Sequence, residues 1–385
     1  MFRTISSASR EGMTQSSMWE RLRAVGAGDV AVVGVSKHAG KTTLLNRLID
    51  EAAHSGARLG IASVGVDGER LDAILGTPKP AVWAPVGTLV ATALSAQPAD
   101  GAAIRWLTPA DISSPLGDVW YGEVERAGAV VLAGVRQLAH LRACSEAFHR
   151  QGVEHVLFDG ALARSIGVHP DVADVVVLAT GAVLGDVDDV VQGTKDMLRR
   201  LQPPVLADGG LRAAVCLLFG CAGSGLAAAI VDRRATALVG GFGQLDGGSK
   251  AAVRAELADV RVSASATGFG DDIRASLGIT GDHNLVVCAG AVTSGLLDAL
   301  AALDHEVLLV ARSPVSLVAS VSSHRRFLRS GHRLCVLAAA TVAAVAVNPV
   351  SPRGRLERTA LLRAVAGAVD VPVWDALDAV SRPCS

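Results

Sequence analysis

The chain has no excess of charge of either sign: 36 Lys and Arg stand against 37 Asp and Glu, a net charge of -1. Such a balance argues against a nucleic-acid-binding surface and against a polybasic membrane patch. Aromatic residues make up only 3% of it. Ala, Val, Leu and Gly dominate instead, as in Val-rich parallel sheets covered by Ala- and Leu-rich helices. No Cys-x-x-Cys occurs. The six cysteines (Cys144, Cys216, Cys221, Cys288, Cys335 and Cys384) are scattered, and no second ligand pair accompanies Cys216 and Cys221 at zinc spacing. They read as reduced cytosolic thiols, mostly buried. The opening "MFRTISSASREGMTQSSMWERL" lacks the apolar core of a secretory signal. It reads as a polar tail running into a short helix near 18–23. The uncharged run "AAVCLLFGCAGSGLAAAIV" (213–231) is long enough to cross a bilayer. Gly220, Gly223, Ser224 and Gly225 interrupt it, so a buried strand, turn and helix are expected there. The shorter uncharged run 335–349 reads as buried strand. The expectation is a cytoplasmic protein with no membrane span.

What the chain does have is alternation. Half of its 385 residues are apolar and 19% are charged, enough to bury a large core in two domains or in one extended α/β domain. Short β-branched runs at 30–33, 59–64, 129–132, 155–158 and 175–178 read as strands. Helical patterns lie between and after them at 41–53, 138–151 and 186–201. In the first of these helices Leu44, Leu45, Leu48, Ile49 and Ala52 form one apolar face. This order predicts βαβ units and an α/β fold: a doubly wound, mainly parallel sheet of the P-loop NTPase type, with a second α/β region. Any site then falls at the carboxyl ends of the strands. The stretch "LQPPVLADGG" (201–210) reads as a boundary. The predicted division is therefore a tail at 1–27, a nucleotide-binding domain at 28–205 and a second α/β domain at 206–385. In the latter, strands are expected at 237–239, 284–287, 307–310 and, in one or two pieces, 334–347. Helices are expected at 250–256, 293–302, 314–328 and 357–369.

The stretch "AVVGVSKHAGKTTLLNRLI" (31–49) raises the chemical question. It reads as a strand, a loop and an amphipathic helix opening on Lys-Thr-Thr. A loop that cradles phosphate needs backbone amides around a concavity, a helix N-terminus aimed at the anion, a lysine for the outer phosphates and a hydroxyl for Mg²⁺. Ser36, Lys37, His38, Ala39, Gly40, Lys41, Thr42 and Thr43 supply these. Gly40 permits close backbone approach, Lys41 the charge and Thr42 the metal-binding hydroxyl, while Thr43 contacts an inner phosphate. Five residues separate Gly34 from Gly40 where the usual pattern has four, an offset that P-loop families of the dethiobiotin-synthetase kind tolerate. A second carboxylate is expected at a neighbouring strand end. "HVLFDGAL" provides Asp159, a metal ligand through water, followed by Gly160. Asp67 in "SVGVDGE" is a further candidate to position water or metal. Thr194-Lys195-Asp196 has the wrong spacing to read guanine, so ATP is expected over GTP.

Several ordered blocks resemble one family. They are "GVSKHAGKTTLLNRLI", "SVGVDGE" with "TPKPAVWAPVGT", "SSPLGDVWYGEV", "FDGALARS" followed by "DVADVVVLATGAVLG", then "AGAVTSGLLDAL" and "AVNPVSPRG". The chain resembles the P-loop ATPase subunit of the system that reactivates lysine 5,6-aminomutase and its ornithine-aminomutase relative. The resemblance implies hydrolysis of ATP with Mg²⁺ to open an adenosylcobalamin-dependent aminomutase and let damaged cobalamin leave. It implies Lys41, Thr42, Asp159 and Asp67 as the catalytic and metal-binding residues, and a second reactivase subunit that resembles a mismatch-repair ATPase. A homodimer is left open. Ala163 stands before Arg164 where the family has an acid, which puts any role of that acid in doubt. The alternatives are an ATP-dependent small-molecule ligase or kinase of the dethiobiotin-synthetase type, a GTP-driven cofactor or metal chaperone, and a regulator that binds nucleotide without turnover.

Overall fold

The computed structural model describes residues 17–64, 66–67, 81–114, 116–135, 137–160, 168–221, 228–232, 235–236, 261–263, 285–288 and 290–377. The expected strand at 237–239 and helix at 250–256 lie outside them, as do Ala163 and Arg164. The chain forms two compact units. The first holds residues up to Lys195 together with Val342–Ser385, and the second is Asp196–Thr341.

The first unit opens with helix α1 (Met18–Ala24), whose Ser17 and Glu20 form a reciprocal capping box that satisfies two orphan amides. Strand β1 (Asp29–Gly34) leads through the loop 35–40 into helix α2 (Lys41–His54). Then come β2 (Leu59–Val64), the two-residue β3 (Val66–Asp67), β4 (Val82–Ala84) and β5 (Leu89–Ala93). A long hairpin follows, β6 (Ala103–Ser114) and β7 (Gly117–Arg126), with the short β8 (Gly128–Val130) and β9 (Leu132–Ala133) behind it. Helix α3 (Leu138–Arg150), β10 (His155–Gly160), β11 (Val175–Gly181) and helix α4 (Val187–Leu201) complete the alternation expected from the sequence.

The second unit contains the helix Gly209–Cys221 and strands β12 (Ala228–Asp232), β13 (Ala235–Thr236), β14 (Arg261–Ser263), β15 (Leu285–Cys288), β16 (Leu308–Ala311) and β17 (Arg333–Val336). β15, β16 and β17 run parallel, and β12 lies antiparallel beside β15. Leu296, Leu297 and Leu300 from one helix and Phe327 from another join Val286 and Leu309 in its core.

The chain then returns. β18 (Val342–Asn348) pairs parallel with β11, a tight hairpin of β19 (Val350–Ser351) and β20 (Gly354–Arg355) follows, and β21 (Val373–Asp375) lies beside β18. The first unit is thus a nine-stranded sheet in the order β21-β18-β11-β1-β10-β2-β5-β7-β6. It is parallel from β21 to β5, with the β6–β7 hairpin added antiparallel at one edge. Leu44, Leu45, Leu48 and Ile49 of α2 share a core with Val30, Val32, Ile61 and Leu157. Leu141, Cys144 and Phe148 of α3 share another with Ala62, Val156 and Phe158. Alternate residues of β2 and β10 thus feed two cores, as a period of two demands. Arg47 also bonds Glu51 within α2 and the carbonyl of Asp375 on β21, which fixes how that helix lies on the sheet.

Four expectations need correcting. Residues 342–377 do not belong with the second region, because β18 and β21 complete the first sheet. The region 334–347, expected as strand in one or two pieces, is two strands, and they lie in two different sheets, β17 and β18. The run 213–231 is helix first and strand second, the reverse of the expected order. Its apolar residues suit either element, and length alone did not separate them. The expected helix at 314–328 is a 3₁₀ turn at Pro314–Ser316 and a separate helix, Val321–Arg329, begun by a Ser320 cap. Among the described residues no helix is long and apolar enough to cross a membrane.

Candidate functional site

The centre of the nine-stranded sheet puts three strand ends side by side. Gly34 of β1 is in register with Ala179 of β11, and Val33 with Gly160 of β10. The Val35 amide donates to the Ala179 carbonyl at 2.9 Å, which starts the loop from a fixed point. Ser36 and Lys37 are exposed, His38 is half-buried and Ala39 is buried. The Ser36 hydroxyl donates to the Lys37 carbonyl at 3.1 Å.

Two residues of this loop have left-handed backbone, His38 (φ 61) and Gly40 (φ 93). Alternation of hand along a short segment turns successive amides toward one side, the geometry of an anion-binding concavity. For a non-glycine residue this conformation is uncommon, and a close approach reinforces the need for glycine at position 40. A Cβ there would lie 2.7 Å from Nδ2 of Asn348 and 2.8 Å from its Cβ.

Gly40 caps α2 without a side chain, and the first turn of α2 contains no acid. The Leu44 amide is the first to reach back into the helix, to the Gly40 carbonyl at 2.9 Å. Helix geometry leaves the amides of Lys41, Thr42 and Thr43 without intrahelical acceptors, and the helix dipole adds positive potential at that end. Lys41 bonds Asp159 through its ammonium group. The lysine side chain is 15% exposed and the carboxylate is fully buried. Asp159 is in register with Val32 on one side and Ser63 on the other. In a parallel sheet such partners face the same way, so Asp159 and Ser63 share the face covered by α2.

The structure therefore brings Gly40, Lys41 and Asp159 together, with Thr42 and Thr43 in the same helical turn. Asp67 is in β3, which pairs antiparallel with β9, Asp67 opposite Leu132. Its side chain lies outside the described set. Two neighbours of the site carried no assigned role in the sequence. Ser63 is buried, and its hydroxyl has no hydrogen-bond partner among the described residues. Asn348 ends β18, buried, with its Oδ1 accepting the Val350 amide at 3.1 Å. Its "AVNPVSPRG" stretch stood out as a landmark, yet nothing in the sequence sets residue 348 beside residue 40.

Chemically, the arrangement suits a polyanion. An ammonium group and first-turn amides can take phosphoryl oxygens, and a buried carboxylate beside them can take a divalent cation. Among the described residues no group of three His, Cys, Asp or Glu could hold a metal by itself. No family model matches the chain, and comparisons with curated proteins and with solved structures find no match.

Proposed function

We propose that residues 35–43 form a phosphate-binding loop and that the first unit is a P-loop ATPase domain. The observation that carries this reading is the pairing of Lys41, first residue of an uncapped helix, with buried Asp159 at the end of the adjacent strand. The backbone on either side supports it. Gly40 has no room for a Cβ because the Asn348 side chain stands against it, so only glycine keeps the loop in this form.

Mg²⁺ suits these residues, because it is held by one or two carboxylates together with phosphate oxygens and waters rather than by a protein cage. Thr42 and Asp159 would hold it, and it would neutralise charge developing on the phosphates. Lys41 would exchange its contact with Asp159 for the terminal phosphates of ATP. Amides of the loop and of Thr42 and Thr43 would orient the phosphate chain. Asp67 would position water or metal from the segment after β2. Cleavage removes the terminal phosphate that these groups hold, and the chain at Asp67 and Asp159 would respond to that loss.

The ordered sequence blocks support a more specific role: the ATPase subunit of a factor that frees damaged cobalamin from an adenosylcobalamin-dependent aminomutase, acting with a second, mismatch-repair-like subunit. The test is ATP turnover and cobalamin release from an aminomutase loaded with inactive cobalamin, with both subunits present. Release that needs ATP and this chain supports the role. ATP turnover without release keeps the ATPase and removes the reactivase; nucleotide binding without turnover leaves only a nucleotide-binding regulator. Absence of nucleotide binding removes both.

A further inference from the structure

The second unit contains a cationic cluster that the nucleotide site does not use. The last turn of α4 contributes Asp196, Arg199 and Arg200, which share one face at helical spacing. The helix Val321–Arg329 contributes His324 and Arg325. Asp196 joins the two. Arg325 donates to Asp196 Oδ1 from Nε at 3.0 Å and reaches Oδ2 through its second nitrogen, while Arg199 donates to Oδ1 at 3.3 Å.

One carboxylate, 8% exposed, thus pairs with two guanidinium groups; with Arg200 on the same helix face, the cluster among the described residues sets three cations against one anion, an excess of two positive charges. Arg200 is the informative member. It is half-buried, burial holds it below the ordinary guanidinium value, and among the described residues no carboxylate offsets that effect. His324 lies in the same field. Burial and then the charge of Arg200 hold its imidazole below the ordinary histidine value, Asp196 opposes this, and Arg199 adds to it. Arg326, the next residue along, is already held by Asp298 at 3.0 Å on the same unit. Guanidinium groups withdrawn from water are ordinarily paired, and a forked donor set of this kind matches the oxygens of a phosphate.

We infer that Arg199, Arg200, Arg325 and His324 form a second anion site, which takes a dianionic phosphate group, free or as a monoester. A dianion balances the two spare charges. It also reverses the field at His324, so that binding favours the imidazolium, which adds one more donor. The site stands apart from the proposed ATPase chemistry and does not depend on it.

The experiment uses the full chain and follows the His324 ring by NMR, its signal assigned by comparison with His324→Gln. Inorganic phosphate is expected to raise the midpoint of the His324 titration by about one unit and to raise the melting temperature. Arg200→Ala is expected to lose both responses. Without phosphate it should melt no lower than the parent, because it removes a half-buried cation that no described carboxylate offsets; a purely structural arginine would lower the melting point. Arg326→Ala should keep both responses. Glycerol phosphate separates the two sources: a response equal to that of free phosphate shows that an ester is accepted, and loss of response shows a site for the free ion. The inference is overturned if phosphate leaves His324 unmoved, if Arg200→Ala responds like the parent, or if succinate shifts His324 more than phosphate does.

Discussion

Asn348 and Gly40 lie 308 positions apart, and the side chain of one occupies the space where a Cβ of the other would be. The backbone carbonyl of Asn348 also presses on Gly181, where a Cβ would come within 2.0 Å of it. One strand end thus sets the walls of the loop from the far side of β11. Gly40→Ala should lose nucleotide binding, since the left-handed backbone alone costs about 1–2 kcal/mol and the contact with Asn348 adds to it. Equilibrium binding of a fluorescent ATP analogue checks this. Gly40→Ala combined with Asn348→Gly should recover folding stability in part, because the backbone strain stays while the clash with the Asn348 side chain goes.

Lys41→Ala should lower ATP turnover by about 10²–10³-fold, the usual effect of deleting one donor to a developing charge. It also leaves a buried carboxylate without its cation, a loss of about 3–5 kcal/mol for such pairs. Lys41→Ala with Asp159→Asn should therefore be more stable than Lys41→Ala alone. Urea denaturation of the two single variants and the double variant measures the coupling, and additive losses would refute the ion pair.

At the opposite end of β1, His149 bonds the Asp29 carboxylate at 2.8 Å and the Val153 carbonyl at 2.9 Å. Burial works against the imidazolium, but the Val153 carbonyl, the hydrogen bond to Asp29 and the charges of Asp29 and Asp174 outweigh it and raise the His149 value. A raised histidine contributes stability that is complete below its unfolded value of about 6.5 and fades as pH climbs through the folded one. Asp29 is raised as well, chiefly by burial. Its contribution has the same sign but fades in the acid range, as pH rises through its own folded value. His149→Gln should flatten the fall in stability around neutrality and leave the acid limb in place. Denaturation midpoints at successive pH values provide the check.

Gly60 of β2 lies under the Phe148 ring, whose Cδ2 would be 2.5 Å from an added Cβ. Both belong to packed sheet and helix, so the overlap has little room to relax. Gly60→Ala should cost about 1–3 kcal/mol by overpacking, and Phe148→Leu in the same chain should return part of it. Thermal unfolding of the single and double variants tests the contact between α3 and the sheet.

A fragment ending at residue 205 lacks β18 and β21. It leaves β11 as an apolar edge with unpaired amides and carbonyls, a surface prone to aggregation. Such a fragment should be insoluble or molten. The same fragment joined by a flexible linker to 342–377 should unfold cooperatively. Circular dichroism and gel filtration distinguish the two outcomes, and a well-folded shorter fragment would contradict the discontinuous first unit.

Much of the first unit was legible in the chain because its information is local. The run 30–33 is continuously apolar and mostly β-branched, the run 41–53 has one apolar face, and a glycine loop joins them; each signal spans a few residues. The same holds for Asp159 at the end of an apolar run, so Lys41 and Asp159 were both assigned to one site from the sequence, while their direct contact is seen only in the structure. The hairpin β6–β7 was not legible. Both strands are half-exposed and carry bulges, Pro109 and a left-handed Asp111, so no clean period marks them. The helix Gly209–Cys221 is apolar on all sides, and such a run does not announce its period.

The sequence alone determined that the chain is α/β, and that a strand, a loop and a helix beginning Lys-Thr-Thr come in that order with an aspartate at another strand's end. Backbone propensity, side-chain period and glycine permissiveness act over a single turn or strand, and those are written in neighbouring residues. Only the tertiary structure decided that β18 returns across an intervening unit to lie beside β11, and that Asn348 closes on Gly40. Strand pairing and shape complementarity are satisfied between segments hundreds of residues apart, and no local pattern specifies which of several Val- and Ala-rich strands will meet.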